Sequence, residues 1–338
     1  MVETTTNPLF HFLKENEENQ TSEYKEYRRR WNENPKNFIV EEFPIHVDIE
    51  TQISCNLRCI MCYYNYDPPK YVRMDMSLIK RIIDEGVEKK LCSIKTQVRG
   101  DPLTDDRMVE IVRYAKEKGI LEVMFNTNAM LLTEEKSRDL IEAGLDKIIC
   151  SVDGCNKEIY EKIRIGANYD TVIKNIKTLY AIKKKLGLEK PEIRVQMVDT
   201  PENHKQITEY MKFWEGIADH IAILELLDLS REEGEDSTPL ENFSCSQLWQ
   251  RLIITAEGDV LPCCGAMMGH VEKSMVVGNI GENTLSEIWR SKKMNALREL
   301  HMKGESHKIK ACRLCSSRKL LVEKKKANKK PEEYDLPK

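Results

Sequence analysis

The chain has 338 residues, enough for one large domain and a smaller one around a substantial core. Hydrophobic residues at 41% and charged residues at 32% fit a globular protein, and a net charge of −3 offers no basis for a nucleic-acid or anionic-membrane partner. No signal peptide or apolar run of membrane-helix length is legible, and eleven cysteines, an odd count, suit metal or cluster binding in a reducing cytoplasm better than disulfides.

Residues 1–44 read as a polar N-terminal extension, in which the Arg28-Arg29-Arg30 run belongs to a surface helix or arm. From residue 45 to 230 short β-branched runs alternate with helical ones. Ile45–Glu50 alternates apolar and polar residues, as a strand does, and leads into Cys55-Asn-Leu-Arg-Cys59-Ile-Met-Cys62. A helical period from Ser77 to Lys90 precedes a strand at 91–98. Asp105–Lys118 is expected as a helix stopped by Gly119, and 121–125 as a strand. Thr133 caps a helix ending before Gly144, and Lys147–Val152 is the next strand. Helical stretches reach Leu186. Strands follow at 192–198 and 220–226, with a helix between them starting near Pro201. Six strand–helix units predict an α/β fold with a parallel sheet curled by right-handed crossovers, too few for a closed eight-stranded barrel.

Residues 231–322 read as a small α+β unit. Arg251–Thr255 and Val260–Cys264 form a hairpin turning at Gly258, and Thr284–Glu287 is a capping box opening an amphipathic helix through Leu300. Residues 323–338 are a basic tail, expected to be frayed and flexible.

The thiols carry the chemistry. Cys55, Cys59 and Cys62 can hold three corners of a cubane cluster and leave the fourth iron open, whereas an electron carrier closes all four. A zinc knuckle or three unrelated thiols is the plain alternative. Cys245, Cys263, Cys312 and Cys315 form a second set that can hold a closed cluster or a zinc ribbon. Cys264 is left over: it replaces Cys263 as ligand, donates a hydrogen atom, or packs as a small hydrophobe. Cys92, Cys150 and Cys155 are expected as core or strand-end residues.

The Cys-x-x-x-Cys-x-x-Cys spacing resembles the signature of the radical S-adenosylmethionine (SAM) superfamily. The resemblance implies an open (β/α)6 partial TIM barrel with chemistry at the C-terminal ends of its strands. It also implies an open iron that chelates SAM, and one-electron cleavage of SAM to a 5′-deoxyadenosyl radical. Arg99-Gly100-Asp101-Pro102-Leu103 resembles the family's Gly-Gly-Glu-Pro-Leu loop, whose backbone and acidic residue bind the methionine amino group. Here Arg99 replaces the first glycine and Asp101 is one methylene shorter than glutamate, which puts direct contact in question. Asn126-Thr127-Asn128-Ala129 resembles Thr-Asn-Gly, with Ala129 in place of glycine and Asn128 expected to reach the site. Ser151-Val152-Asp153-Gly154 resembles Ser-x-Asp-Gly, which implies Ser151 and Asp153 at the SAM ribose and carboxylate. Arg164 is expected to clamp a SAM or substrate carboxylate, with a surface ion pair as the plain reading. Met61 is placed with the SAM-contacting residues, and Gln196 lines the cavity or packs. The order hairpin, helix, Cys-x-x-Cys resembles the SPASM/Twitch domains, which implies one auxiliary 4Fe–4S cluster in addition to the SAM-binding one.

Three functions follow. The first is an oxidoreductase or epimerase acting on a carbinol carbon of a sugar, nucleotide sugar or aminocyclitol. An auxiliary cluster that accepts the electron gives a ketone, and a thiol such as Cys264 that returns hydrogen gives an epimer. The second is a maturase forming thioether or carbon–carbon crosslinks in a peptide, although the 44 N-terminal residues are too few for a winged-helix leader-binding module. The third is a non-catalytic iron–sulfur or zinc module. The expected partners are a small-molecule substrate, or a peptide, and an electron donor such as flavodoxin or ferredoxin, with no nucleic acid and no membrane.

Overall fold

The computed structural model describes residues 3–5, 10–12, 21–62, 70–227, 243–267 and 272–318. Six parallel strands form its centre: β1 (His46–Ile49), β2 (Ser93–Lys95), β3 (Glu122–Thr127), β4 (Lys147–Ser151), β5 (Glu192–Asp199) and β6 (His220–Glu225). They lie side by side in chain order. Helices at Met76–Glu88, Met108–Glu117, Glu134–Glu142, Lys157–Ile163 with Tyr169–Lys185, and Ile207–Trp214 make the crossovers. Outward strand residues such as Val47, Ile94, Phe125, Ile148 and Val195 pack with Ile79, Ile82, Ile111, Leu140 and Ile176 of these helices in one buried cluster. The partial barrel of the resemblance is therefore present, with the period-2 strand pattern providing an apolar outer face.

The C-terminal hairpin is part of the same sheet. Strand Arg251–Ile254 pairs parallel to β1, then antiparallel to Asp259–Leu261, which pairs with Gly278–Asn279. At the other edge Phe10–Phe12 runs antiparallel to β6. The hairpin of the small α+β unit is thus continuous with the barrel edge, because β1 has an unpaired side to offer. Glu85 secures this docking by accepting the backbone N–H groups of Leu285 and Ser286 at 3.0 and 2.9 Å.

Inward strand positions are polar. Near the N-terminal ends of the strands Glu122 accepts hydrogen bonds from Tyr24 and Ser93, both at 3.1 Å. Tyr24 lies on the helix Ser22–Lys36, the element containing Arg28–Arg30, which buries Tyr24 and Tyr27 and stacks Trp31 edge-on against His46. The expected surface arm closes the bottom of the barrel.

Three boundaries differ from expectation. The helix predicted near Pro201 begins at Ile207, because the Asn203 side chain accepts from the Thr200 N–H and donates to the Val198 and Asp153 carbonyls, holding a turn first. The helix predicted from Asp105 begins at Met108 after a 3-10 turn at Pro102–Thr104. The single helix predicted after Thr284 is two, Leu285–Trp289 and Lys292–Met302, since Ser291 caps a second start by accepting from Met294 N–H. The basic tail and the 231–242 boundary lie outside the described residues.

Candidate functional site

The thiols Cys55, Cys59 and Cys62 follow β1 at its C-terminal end, all half-buried. The loop is braced on three sides. Arg58–Cys59 pairs antiparallel with Arg164–Ile165. Arg164 donates to Cys59 Sγ at 3.8 Å, and Asn128 Nδ2 lies 3.9 Å from Cys55 Sγ while donating to Asn56 at 2.8 Å. Gly100 has φ +72°, and a Cβ there would stand 2.2 Å from the Ser54 carbonyl oxygen, so only glycine lets this loop lie against the cysteine loop. The Asp101 N–H donates to that carbonyl at 2.7 Å.

The SAM-matching residues Gly100, Asn128 and Arg164 gather here around the cysteine loop. Asp101, whose direct contact with the methionine ammonium its shorter side chain puts in question, is engaged within the protein. Its carboxylate accepts Leu103 N–H, Asn128 N–H at 2.6 Å and the Thr127 hydroxyl, and the side chain is buried. It is a strut joining the β2 and β3 loops, and with one methylene fewer than glutamate it reaches no further. Asp153 is likewise buried, paired with Arg164 at 2.6 Å and accepting Val198 N–H at 2.7 Å. Burial pushes the Asp153 carboxyl up and Arg164 pulls it down, with burial the larger effect. Arg164 is therefore a buried positioning group and not the surface ion pair of its plain reading. Ser151, half-buried at the end of β4, accepts from Gln196 Nε2 at 3.2 Å, so Gln196 lines the lumen beside it. Met61 is half-buried between Cys59 and Cys62.

The second set surrounds a cavity between the hairpin and the C-terminal helices, lined by Cys245, Cys263, Cys312 and Cys315, with Cys264 also on its wall, among mostly apolar neighbours. A Cβ on Gly265 would stand 3.1 Å from Cys315 Sγ and 3.9 Å from Cys263 Sγ, so the absent side chain leaves room beside two sulfurs. Burial pushes the Cys245 thiol up to about 12 and raises those of Cys263 and Cys312. Thiols held neutral this way ionise when a bound cation stabilises the thiolate, which is the donor chemistry an iron–sulfur cluster requires. Among the described residues no three His, Cys, Asp or Glu side chains converge to hold a single ion; the four thiols instead line the cavity wall. Cys263 is half-buried, whereas its neighbour Cys264, which lines the same cavity, is exposed and accepts from Gln247 Nε2 at 3.4 Å.

Several site residues were invisible to motif matching. Glu50 is fully buried and grips Arg99 through Nε at 2.8 Å and a terminal nitrogen at 2.7 Å, while accepting Ala256 N–H from the hairpin. Below it, Asp48 binds Arg251 at 3.0 Å and lies 3.9 Å from Lys95. Arg194 donates to Gln196 at 3.3 Å. For Asp48, Lys95 and Arg194 the signal was the alternation in the strands, which puts them on the inward face.

A half-barrel with a three-cysteine loop at its C-terminal rim and a four-cysteine cavity on its edge defines an iron–sulfur enzyme class that works with SAM. The profile described as the radical SAM superfamily matches residues 49–213, and that of the iron–sulfur cluster-binding SPASM domain matches residues 245–316. The chain belongs to the radical SAM superfamily, carries a SPASM domain, and is an enzyme that binds SAM and 4Fe–4S clusters. A tungsten-containing aldehyde ferredoxin oxidoreductase cofactor-modifying protein of Pyrococcus furiosus is 26% identical over 316 residues, covering 80% of this chain and 86% of that protein. A GTP 3′,8-cyclase of Limosilactobacillus fermentum is 29% identical over 219 residues, covering 58% of this chain and 64% of the cyclase. Among solved structures, BtrN in complex with AdoMet and 2-DOIA superposes with a TM-score of 0.53 at 21% identity, covering 82% of this chain and 93% of BtrN. Streptococcus suis SuiB bound to the precursor peptide SuiA gives 0.63 at 16% identity, covering 82% of this chain and 72% of SuiB. Both structural likenesses are likenesses of fold.

Proposed function

We propose that this enzyme oxidises or epimerises a carbinol carbon of a small polyhydroxylated substrate, a sugar, nucleotide sugar or aminocyclitol, in the lumen of the partial barrel. SAM bound at a cluster held by Cys55, Cys59 and Cys62 supplies, after one-electron reduction, a 5′-deoxyadenosyl radical that takes a hydrogen atom from substrate. The chain's residues hold and orient. Arg164, itself oriented by Asp153, steadies Cys59; Asn128 steadies Cys55; the Gly100 loop backbone, Met61 and Ser151 border the SAM position. Cys245, Cys263, Cys312 and Cys315 hold the auxiliary cluster.

The observation that carries the substrate class is the lumen. Its inward side chains include Asp48, Lys95, Arg194, Gln196 and Arg251, and this wall suits a hydrophilic molecule rich in hydroxyl groups. Among the described residues the cations Lys95 and Arg251 both lie against Asp48, with Arg194 on the same wall, which supports a substrate bearing phosphate or carboxylate. The names of the curated relatives, a cofactor-modifying protein and a GTP cyclase, also speak for a small molecule over a peptide. Cys264, the exposed thiol left over from the auxiliary set, is the candidate hydrogen donor that would give inversion in place of oxidation. Eleven free thiols support a reducing cytoplasm, with a flavodoxin or ferredoxin as donor.

The test is anaerobic reconstitution of the wild type and a Cys55/Cys59/Cys62→Ala variant, with iron counted and dithionite-driven formation of 5′-deoxyadenosine followed. About eight irons should fall to about four and cleavage should vanish. A sugar, nucleotide sugar or aminocyclitol should then accelerate cleavage by the wild type, with phosphate- or carboxylate-bearing candidates tried first. Acceleration by peptides alone would establish a maturase. Cleavage surviving in the triple variant would remove the radical reading of these cysteines.

A further inference from the structure

The four thiols around the auxiliary cavity share a neighbour that is not a thiol. His301, on the helix Lys292–Met302, is 1% exposed and touches two of the four cysteines. Its Nδ1 accepts the backbone N–H of Cys245 at 3.0 Å, and its Nε2 lies 3.5 Å from Cys312 Sγ. A ring nitrogen that accepts a hydrogen bond carries no proton, so the proton of this imidazole is on Nε2 and faces the sulfur. The ring has little freedom to turn. It stands edge-on to Trp249 with centroids 6.5 Å apart, and its helix is tied down by Arg298, which donates to the carbonyls of Leu248 and Trp289 at 3.0 and 2.8 Å.

From this geometry we infer that His301 is a positioning residue of the auxiliary cluster, anchoring the Cys245 backbone and donating an Nε2–H···S hydrogen bond to Cys312 that raises the cluster's reduction potential. The inference rests on Cys245 and Cys312 being ligands of that cluster, as proposed above. Its physical basis is charge. Reduction adds an electron whose density is shared with the thiolate sulfurs, and a donor aimed at one of them stabilises the reduced state more than the oxidised one. In a buried cavity of low dielectric, one such bond counts for more than it would in water.

The experiment uses the full-length Cys55/Cys59/Cys62→Ala protein, which isolates the auxiliary cluster, with and without His301→Leu or His301→Gln. Iron content and an electron-paramagnetic-resonance redox titration are measured on each. His301→Leu should keep about four irons and shift the reduction equilibrium at least tenfold toward the oxidised cluster, about 59 mV for one electron. His301→Gln, which retains an N–H donor, should recover most of that shift. Resonance Raman spectra of the unsubstituted-His301 protein should show iron–thiolate bands that move on exchange into D₂O. An unchanged potential in His301→Leu, or D₂O-insensitive bands, overturns the inference. Loss of iron from both His301 variants would make the imidazole a ligand and also overturns it. An absence of iron from the triple variant itself would remove the auxiliary cluster and the inference together.

Discussion

The two cysteine sites of this enzyme belong to the same edge of one sheet and are built to opposite plans. At the barrel rim three half-buried thiols sit on a loop bordered by polar groups, Asn56, Asn128 and Arg164, with the carboxylates Asp101 and Asp153 turned inward as struts. In the C-terminal cavity four thiols are surrounded by apolar side chains including Met275, Leu297 and Ala311, with His301 against two of them. The first leaves a polar margin on which a ligand can be held. The second is enclosed largely by apolar side chains, with Gln247, His301 and Arg318 among its polar lining. Openness is thus set less by the number of cysteines than by what stands beside them.

Glycine substitutions at the two sites should separate them most sharply. Gly100→Ala puts a Cβ into the Ser54 carbonyl in a left-handed backbone position, so the loop must move away from the cysteines. SAM cleavage should fall about a hundredfold or more, as expected when a cofactor is displaced by an ångström, while the auxiliary iron stays. Gly265→Ala presses on Cys315 Sγ at 3.1 Å and should do the reverse. The auxiliary cluster should lose iron faster to a chelator, with SAM cleavage kept within about twofold. Iron counts and 5′-deoxyadenosine assays on the pair check both arms. A loss of both functions in either variant would mean the sites are one cooperative unit.

A second substitution probes the struts. Arg164→Leu would leave the Asp153 carboxylate fully buried and unpaired, which costs about 3 kcal/mol or more. Adding Asp153→Asn should return part of it, because a neutral amide is less costly to bury than a lone charge. Urea unfolding of the metal-free proteins measures both. Equal stability of Arg164→Leu and wild type would mean that water reaches Asp153 and that the strut is not closed.

How much of this was legible in the sequence differs between the barrel and its edge. The strands were readable because β-branched runs between capped helices leave few alternatives, and β4 and β5 begin at the predicted residues Lys147 and Glu192. The three-cysteine loop and its glycine neighbour were readable because one spacing carries the chemistry. The fusion of the hairpin to β1 was not, since strand partners far apart in sequence leave no local mark. His301 was hidden for the same reason: a lone histidine on an amphipathic helix has no pattern of its own, and only the fold brings it to Cys245 and Cys312. The hydrogen bonds of Asp101 to Leu103, Thr127 and Asn128 were not legible either, because a motif gives residue identity but not the direction of a side chain.

Ala129 offers the finest test of how faithfully the rim follows its family pattern. It stands where the related sequences have glycine, and its φ of +60° lies in the left-handed region that costs an alanine about 1 kcal/mol or more. The conformation is held from outside. Asn175 Nδ2 donates to the Ala129 carbonyl at 2.9 Å, and the Ala129 N–H donates to the Thr127 hydroxyl at 3.0 Å, so the chain cannot relax without losing both bonds. Ala129→Gly removes the steric penalty but adds backbone freedom to the unfolded chain, which returns about 0.4–1 kcal/mol of it. The net should be a gain of at most about 1 kcal/mol in urea unfolding, with SAM cleavage unchanged. A destabilised variant would show that the alanine methyl contributes packing in the buried cluster it shares with Leu132 and Tyr160, and that this rim has diverged from glycine by gaining core contacts in exchange for strain.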